Sequence, residues 1–128
     1  MTKEIKQLPS ASEAEEALLG CVIQGGEREQ EIAMAWIRDN KAFYTLDNRN
    51  IWESMADLYK DGIDIDVVTL ANKVKDMYGD SKAYYISGLT DSFVSTSNVE
   101  NYARIVWEKY IQRETAKSAE ALLNASYE

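Results

Sequence analysis

Apolar residues recur at helical spacing through most of this 128-residue chain. Ala14, Leu18, Cys21 and Val22 stand at i, i+4, i+7 and i+8, which predicts an amphipathic helix stopping at Gly25-Gly26. Ser10 and Ser12, with Glu13 and Glu15 three residues on, are its candidate caps. Gly20 lies inside it and weakens it by about 1 kcal/mol against alanine, so another helix is expected to pack closely there. A second helix is predicted over 27–40 through Ile32, Ala33, Trp36 and Ile37, with Asn40 suited to its end. Residues 41–46 form a short connection whose Phe43 and Tyr44 are expected against the core. Asp47 is the expected cap of a third helix with Ile51, Trp52, Met55, Leu58 and Tyr59 on one stripe, closed by Asp61-Gly62. Residues 63–66 alternate apolar and acidic, but no second strand is at hand to pair with them. They read as an extended lead into a helix capped by Asp66, carrying Val67, Leu70, Ala71, Val74 and Tyr78 and ending at Gly79. Asp80 or Ser81 then caps a short fifth helix over 83–87 that holds Tyr84, Tyr85 and Ile86, and residues 90–96 form a Ser/Thr-rich loop. Every predicted element is helical, so the fold class is all-α.

The last stretch, 97–128, is the longest. Ser97-Asn98-Val99-Glu100 has a capping-box pattern, and no proline or glycine follows it. A helix of that length measures roughly 40 Å, whereas a compact domain of this size has a radius of gyration of about 14 Å. Part of it is expected to project. Val99, Tyr102, Ala103, Val106 and Tyr110 form a stripe that can cover a core. Trp107, Ile111, Thr115, Ser118 and Leu122 form a second line on the neighbouring face, and beyond Arg113 small apolar residues crowd in with Leu122 and Leu123. One globule cannot cover both stripes along their full length. The candidate protein-contact residues are therefore Trp107, Ile111, Leu122 and Leu123, with Tyr110 at the boundary, and the expected occupant is a following helix or a second copy of the chain.

Composition narrows the chemistry. The net charge is −8, with 22 acidic and 14 basic residues spread along the chain. Nucleic-acid affinity draws on clustered lysine and arginine, so direct DNA binding by this segment is not expected. Histidine is absent and Cys21 is the single cysteine, which removes the usual zinc sites, an internal disulfide and every mechanism needing an imidazole base. There is no phosphate-binding Gly-x-x-x-x-Gly-Lys-Ser/Thr loop. Asp61, Asp64 and Asp66 lack the glutamate that a calcium loop places at its twelfth position, and a carboxylate at a helix start already has a sufficient role. Trp36, Trp52 and Trp107 lack a basic groove beside them for base stacking and read as packing residues. Lys109 and Arg113 read as surface residues paired with Glu108 and Glu114. No metal or cofactor is expected. No apolar run approaches a membrane span and no hydrophobic leader opens the chain, which points to a cytoplasmic protein without membrane contact.

Several stretches together resemble the N-terminal domain of DnaB-type hexameric replicative helicases. Leu8-Pro9-Ser10, Glu13-Ala14-Glu15 and Leu18-Leu19-Gly20 are similar to that domain's opening motif. Phe43-Tyr44 followed by Arg49, Ile51, Trp52 and Met55 is similar to its aromatic entry into the third helix. Asp64-Ile65-Asp66-Val67-Val68-Thr69-Leu70 and Asn98-Val99-Glu100-Asn101-Tyr102-Ala103-Arg104-Ile105-Val106 are similar to its fourth-helix and long-helix motifs. The four matches keep the family's order and cover most of residues 8–113. Asn48 stands where a histidine is common, Ser81-Lys82 replaces a glycine pair, and the usual proline before Asn98 is missing. These departures imply a divergent member of the kind phages and plasmids encode.

The resemblance implies a collar domain that pairs subunits within a hexamer and docks primase or a helicase loader during DNA replication. It implies that ATP, magnesium and strand separation belong to a C-terminal RecA-like domain, with no catalytic site in this chain. The expected organisation is an extended arm over 1–9, a helical globule over 10–96, and a long helix over 97–128 that is the first arm of a hairpin whose second arm would follow. The alternative is a free-standing helicase-binding regulator or inhibitor that imitates this domain, and an enzyme is a distant third.

Overall fold

A computed structural model describes residues 11–91 and 95–128, and the arm expected over 1–9 and the candidate cap Ser10 lie outside the described residues. The described chain has helices α1 (Ser12–Gln24), α2 (Glu27–Trp36), α3 (Leu46–Lys60), α4 (Val67–Tyr78), α5 (Ala83–Asp91) and α6 (Val99–Ala125), with 3-10 turns at Asn40–Ala42 and Thr96–Asn98. No strand occurs among the described residues. The core is one apolar cluster to which α1, α2, α3, α4, α5 and the first half of α6 contribute. Leu18, Leu19, Cys21 and Val22 meet Phe43, Ile51, Met55, Leu70, Ile86 and Ala103 there, all of them fully buried. The helix α6 packs on α1 and α2 and crosses the first 3-10 turn, while α3 packs on α4.

The stripes predicted for the first, third and fourth helices are buried or half-buried, except that Tyr78 at the end of the fourth is 39% exposed, and several helix ends differ from expectation. The first residue of α1 is Ser12, preceded by Ala11 without a side-chain cap. Glu15 turns inward instead of reaching back toward the helix start. Helix α2 stops at Trp36, not Asn40: Asp39 accepts from the Lys41 amide (2.9 Å) and starts the 3-10 turn, which carries Phe43 into the core. Thr45, not Asp47, caps α3, its hydroxyl accepting from the Asn48 amide at 3.3 Å. Both residues can cap, and the one that does is set by where the chain leaves the 3-10 turn. Asp66 caps α4 as expected, accepting from the Thr69 amide at 2.8 Å, and Gly79 ends it in the left-handed conformation at φ +91°. Helix α5 continues to Asp91, four residues beyond the expected 83–87. The Ser97/Glu100 capping box does not form. A 3-10 turn runs into α6, whose cap position is Asn98 without a side-chain bond, and the Ser97 hydroxyl pairs with that of Ser95 at 2.8 Å.

The junction between α1 and α2 is tight at one glycine only. A Cβ on Gly25 would stand 2.6 Å from the Cys21 carbonyl and 2.7 Å from Glu29 Cβ, whereas one on Gly26 would meet only the end of the Glu29 side chain at 3.8 Å. Gly25→Ala is expected to lower stability by about 1–3 kcal/mol through forced backbone movement. Gly26→Ala should stay within about 1 kcal/mol of the parent, and urea unfolding of the two variants side by side checks the contrast.

Candidate protein-interaction surface

Helix α6 has two halves with different surroundings. Val99, Ala103 and Val106 are buried at helical spacing, and Arg113 is the last buried residue of the helix. Every residue from Lys117 onward is exposed. Because the helix is continuous to Ala125, its end leaves the globule as a rod, as its length demanded.

The five candidate contact residues fall into two groups. Trp107 and Tyr110 are half-buried against the core cluster, with ring centroids 5.1 Å apart. The Arg38 guanidinium lies over the Trp107 ring at 5.6 Å, and the Tyr110 hydroxyl donates to Asp39 at 3.3 Å. Burial, then the Asp39 carboxylate, pushes the Tyr110 phenol up. These two aromatic residues tie α6 to the end of α2 and the turn that follows. Ile111, Leu122 and Leu123 are the free group, 47%, 73% and 56% exposed. Ile111, Thr115, Ser118 and Leu122 follow one line along the rod, about 16 Å from first to last, with Leu123 beside it. Tyr127, 81% exposed just past the helix, extends the apolar end and had no periodicity to single it out.

The base of the rod is held by a buried polar cluster that local sequence patterns did not show. Arg113 is not a surface residue paired with Glu114. It is 2% exposed, donates to the carbonyls of Ala42 at 2.8 Å and Lys41 at 3.3 Å, and spreads its guanidinium over the rings of Tyr44 (5.3 Å) and Tyr110 (5.9 Å). Glu15, 1% exposed, accepts from the Tyr44 amide with both oxygens (3.1 and 3.0 Å) and from the Asn48 side-chain amide at 3.0 Å. Asn48 in turn accepts from the Tyr85 hydroxyl at 2.7 Å, and Arg49 Nε donates to the Phe43 carbonyl at 2.7 Å. Burial pushes the Glu15 carboxyl up, against the hydrogen bonds from Asn48 and Tyr44 and the charges of Arg113 and Arg49. Burial likewise makes the Arg113 guanidinium less basic, while the Glu15 charge opposes that. No buried side-chain nitrogen or oxygen among the described residues lacks a partner, so the cluster joins α1, the first 3-10 turn, α3, α5 and α6 with its polar atoms satisfied.

Other features carry less. Among the described residues no group of three or more acidic or cysteine side chains is placed to hold a metal ion, and no helix is long and apolar enough to cross a membrane. A shallow groove of about 530 Å³ lies between α4 and the start of α5, lined by Val67, Val68, Ala71, Lys75 and Ala83, with Val68 77% exposed.

The arrangement of a buried helical globule with a projecting last helix has close counterparts. The family described as DnaB-like helicase N-terminal domain matches residues 7–108. The chain belongs to this family. Replicative DNA helicase DnaB of Haemophilus influenzae is 30% identical over 131 residues, covering 98% of this chain and 27% of the relative. The DnaB helicase of Buchnera aphidicola is 28% identical over 129 residues with the same coverage. The crystal structure of the N-terminal domain of DnaB helicase from Mycobacterium tuberculosis superposes with a TM-score of 0.86 at 25% identity, over 94% of this chain and 85% of that one. The chain thus spans about a quarter of the length of these full-length relatives. The similarity to DnaB proteins runs past residue 108 and takes in the exposed half of α6 as well as the globule.

Proposed function

We propose that this domain is the collar module of a replicative DNA helicase, pairing neighbouring subunits within a hexamer and docking primase or a loader protein in the cytoplasm. In this reading α6 is the first arm of a pairing hairpin. ATP hydrolysis with magnesium, and strand separation, belong to a RecA-like domain C-terminal to it. The observation that carries the reading is the rod of α6 leaving the core after Arg113 with Leu122 and Leu123 uncovered on it and Ile111 uncovered at its base. The −8 charge fits a domain that contacts proteins and leaves the DNA to others.

Physical magnitudes also favour a tethered role. Full burial of three such side chains yields about 1.5–3 kcal/mol each, against an association cost of about 4–15 kcal/mol. Pairing by this surface alone is therefore weak, and it becomes effective when a ring holds the partners at high local concentration. Sedimentation equilibrium at high protein concentration, with primase capture in parallel, tests the reading. Ile111→Glu combined with Leu122→Glu is expected to weaken self-association at least about tenfold and to reduce primase capture, with the thermal unfolding midpoint unchanged. If both interactions survive the double substitution, the proposal fails.

A further inference from the structure

We infer that Arg113 is a positioning residue: its clamp on the Lys41 and Ala42 carbonyls sets the direction in which the exposed half of α6 leaves the globule. This deepens the reading of that half as a pairing surface and rests on it for its functional meaning, though not for its geometry. A rod's direction is fixed by its outermost anchor, and Arg113 is the last buried residue of α6. It stands seven positions beyond Val106, the last apolar residue of the buried stripe. One terminal nitrogen of its guanidinium, Nη2, donates to two successive carbonyls while two aromatic rings, Tyr44 and Tyr110, flank the group. That geometry holds an angle where a single apolar contact would let the helix roll. The clamp is itself backed from behind, because Glu15 holds the Tyr44 amide and Asn48 holds Glu15.

A second observation says why the anchor matters at this point of the helix. Two residues beyond Arg113, the Thr115 hydroxyl donates back to the Ile111 carbonyl at 2.8 Å. Such back-bonding competes with the helix ladder and bends helices. Without Arg113, α6 would be free to pivot from its last core contacts and to flex at 111–115, carrying Leu122 and Leu123 with it.

The test is a spin-label distance measurement on the chain between exposed positions on α3 and on the rod, Lys60→Cys and Ser118→Cys, diluted with unlabelled chain so that pairing adds no signal. Cys21 is buried, with its thiol pushed up to about 11 by that burial, so it need not be replaced. Arg113→Met, which keeps the stem and removes the fork, is expected to broaden the distance distribution at least about twofold as further orientations become populated. Arg113→Lys should broaden it less. Val106→Ala, which weakens the core but spares the clamp, should leave the width as in the parent. Equal broadening in Val106→Ala and Arg113→Met would mean that width follows stability alone, and an unchanged width in Arg113→Met would mean that contacts other than the clamp set the direction. Either result overturns the inference. Should Arg113→Met not fold, Arg113→Lys against Val106→Ala decides by the same comparison. If Arg113→Met broadens the distribution while Ile111→Glu with Leu122→Glu leaves self-association at high protein concentration unchanged, the pairing function is refuted and the positioning role stands.

Discussion

Glu15→Ala is expected to destabilise the domain by about 3–5 kcal/mol, the range for removing one partner from a buried charged cluster. The alanine leaves the Tyr44 amide and the Asn48 side-chain amide without their acceptor and takes a negative charge from the surroundings of Arg113. Each of those groups is then desolvated with nothing in return. Glu15→Gln keeps an acceptor and the volume, and is expected to cost less than half as much. Urea unfolding at neutral pH, monitored by circular dichroism, checks the order. The pH dependence distinguishes the two forms further. The folded-state pKa of Glu15 is raised above its ordinary value of 4.5, chiefly by burial. Its contribution is therefore fully favourable below 4.5 and is lost as the pH rises through the folded-state value. Between pH 4.5 and its folded-state value this group makes the native chain less stable as the pH rises. In Glu15→Gln that component is absent, so subtracting one stability profile from the other isolates it. A parent profile that gains stability across this window relative to Glu15→Gln would contradict the assigned direction.

How much of this was legible beforehand follows from how local each cause is. The stripe Ile51, Trp52, Met55 and Leu58 and the Asp66 to Gly79 helix are set by residues within one or two turns, and their pattern could be read directly. The choice of Thr45 over Asp47 as cap, and the early end of α2 at Trp36, depend on the 3-10 turn between them, which no periodicity marks. The polar cluster was hidden for a different reason. Glu15 meets Asn48 across 33 positions, and Arg113 meets Ala42 across 71. On a helical wheel each reads as an ordinary exposed charge, since lone charged residues on amphipathic helices mostly are exposed. Of the contact candidates, Ile111, Leu122 and Leu123 could be singled out because the helix outruns its globule. Trp107 shares the line of Ile111 and Leu122, and Tyr110 stands at its boundary with the core stripe; only the path of residues 38–39 reveals that the globule already covers part of both.

Phe43→Ala is expected to cost about 3–5 kcal/mol as a large-to-small core change, and its effect should not add to that of Glu15→Ala. Phe43 is fully buried, its ring 5.3 Å from that of Trp52. It is also the pin that holds the connection between the first 3-10 turn and α3. The Ala42 carbonyl just before it accepts from Arg113, its own carbonyl accepts from Arg49, and the Tyr44 amide just after it donates to Glu15. Removing the ring leaves a cavity and lets that backbone move, so the polar cluster loses its geometry along with the core contact. A double-mutant cycle should therefore show a coupling of about 1–3 kcal/mol, with the double variant less destabilised than the sum of the single ones. Independent sites add to within about 0.5 kcal/mol. Additive losses would mean that the core and the polar cluster are separate supports that merely adjoin. Coupled losses would mean that the apolar stripe, which repeats at helical spacing, and the buried charges, which do not, form one unit from whose edge α6 projects.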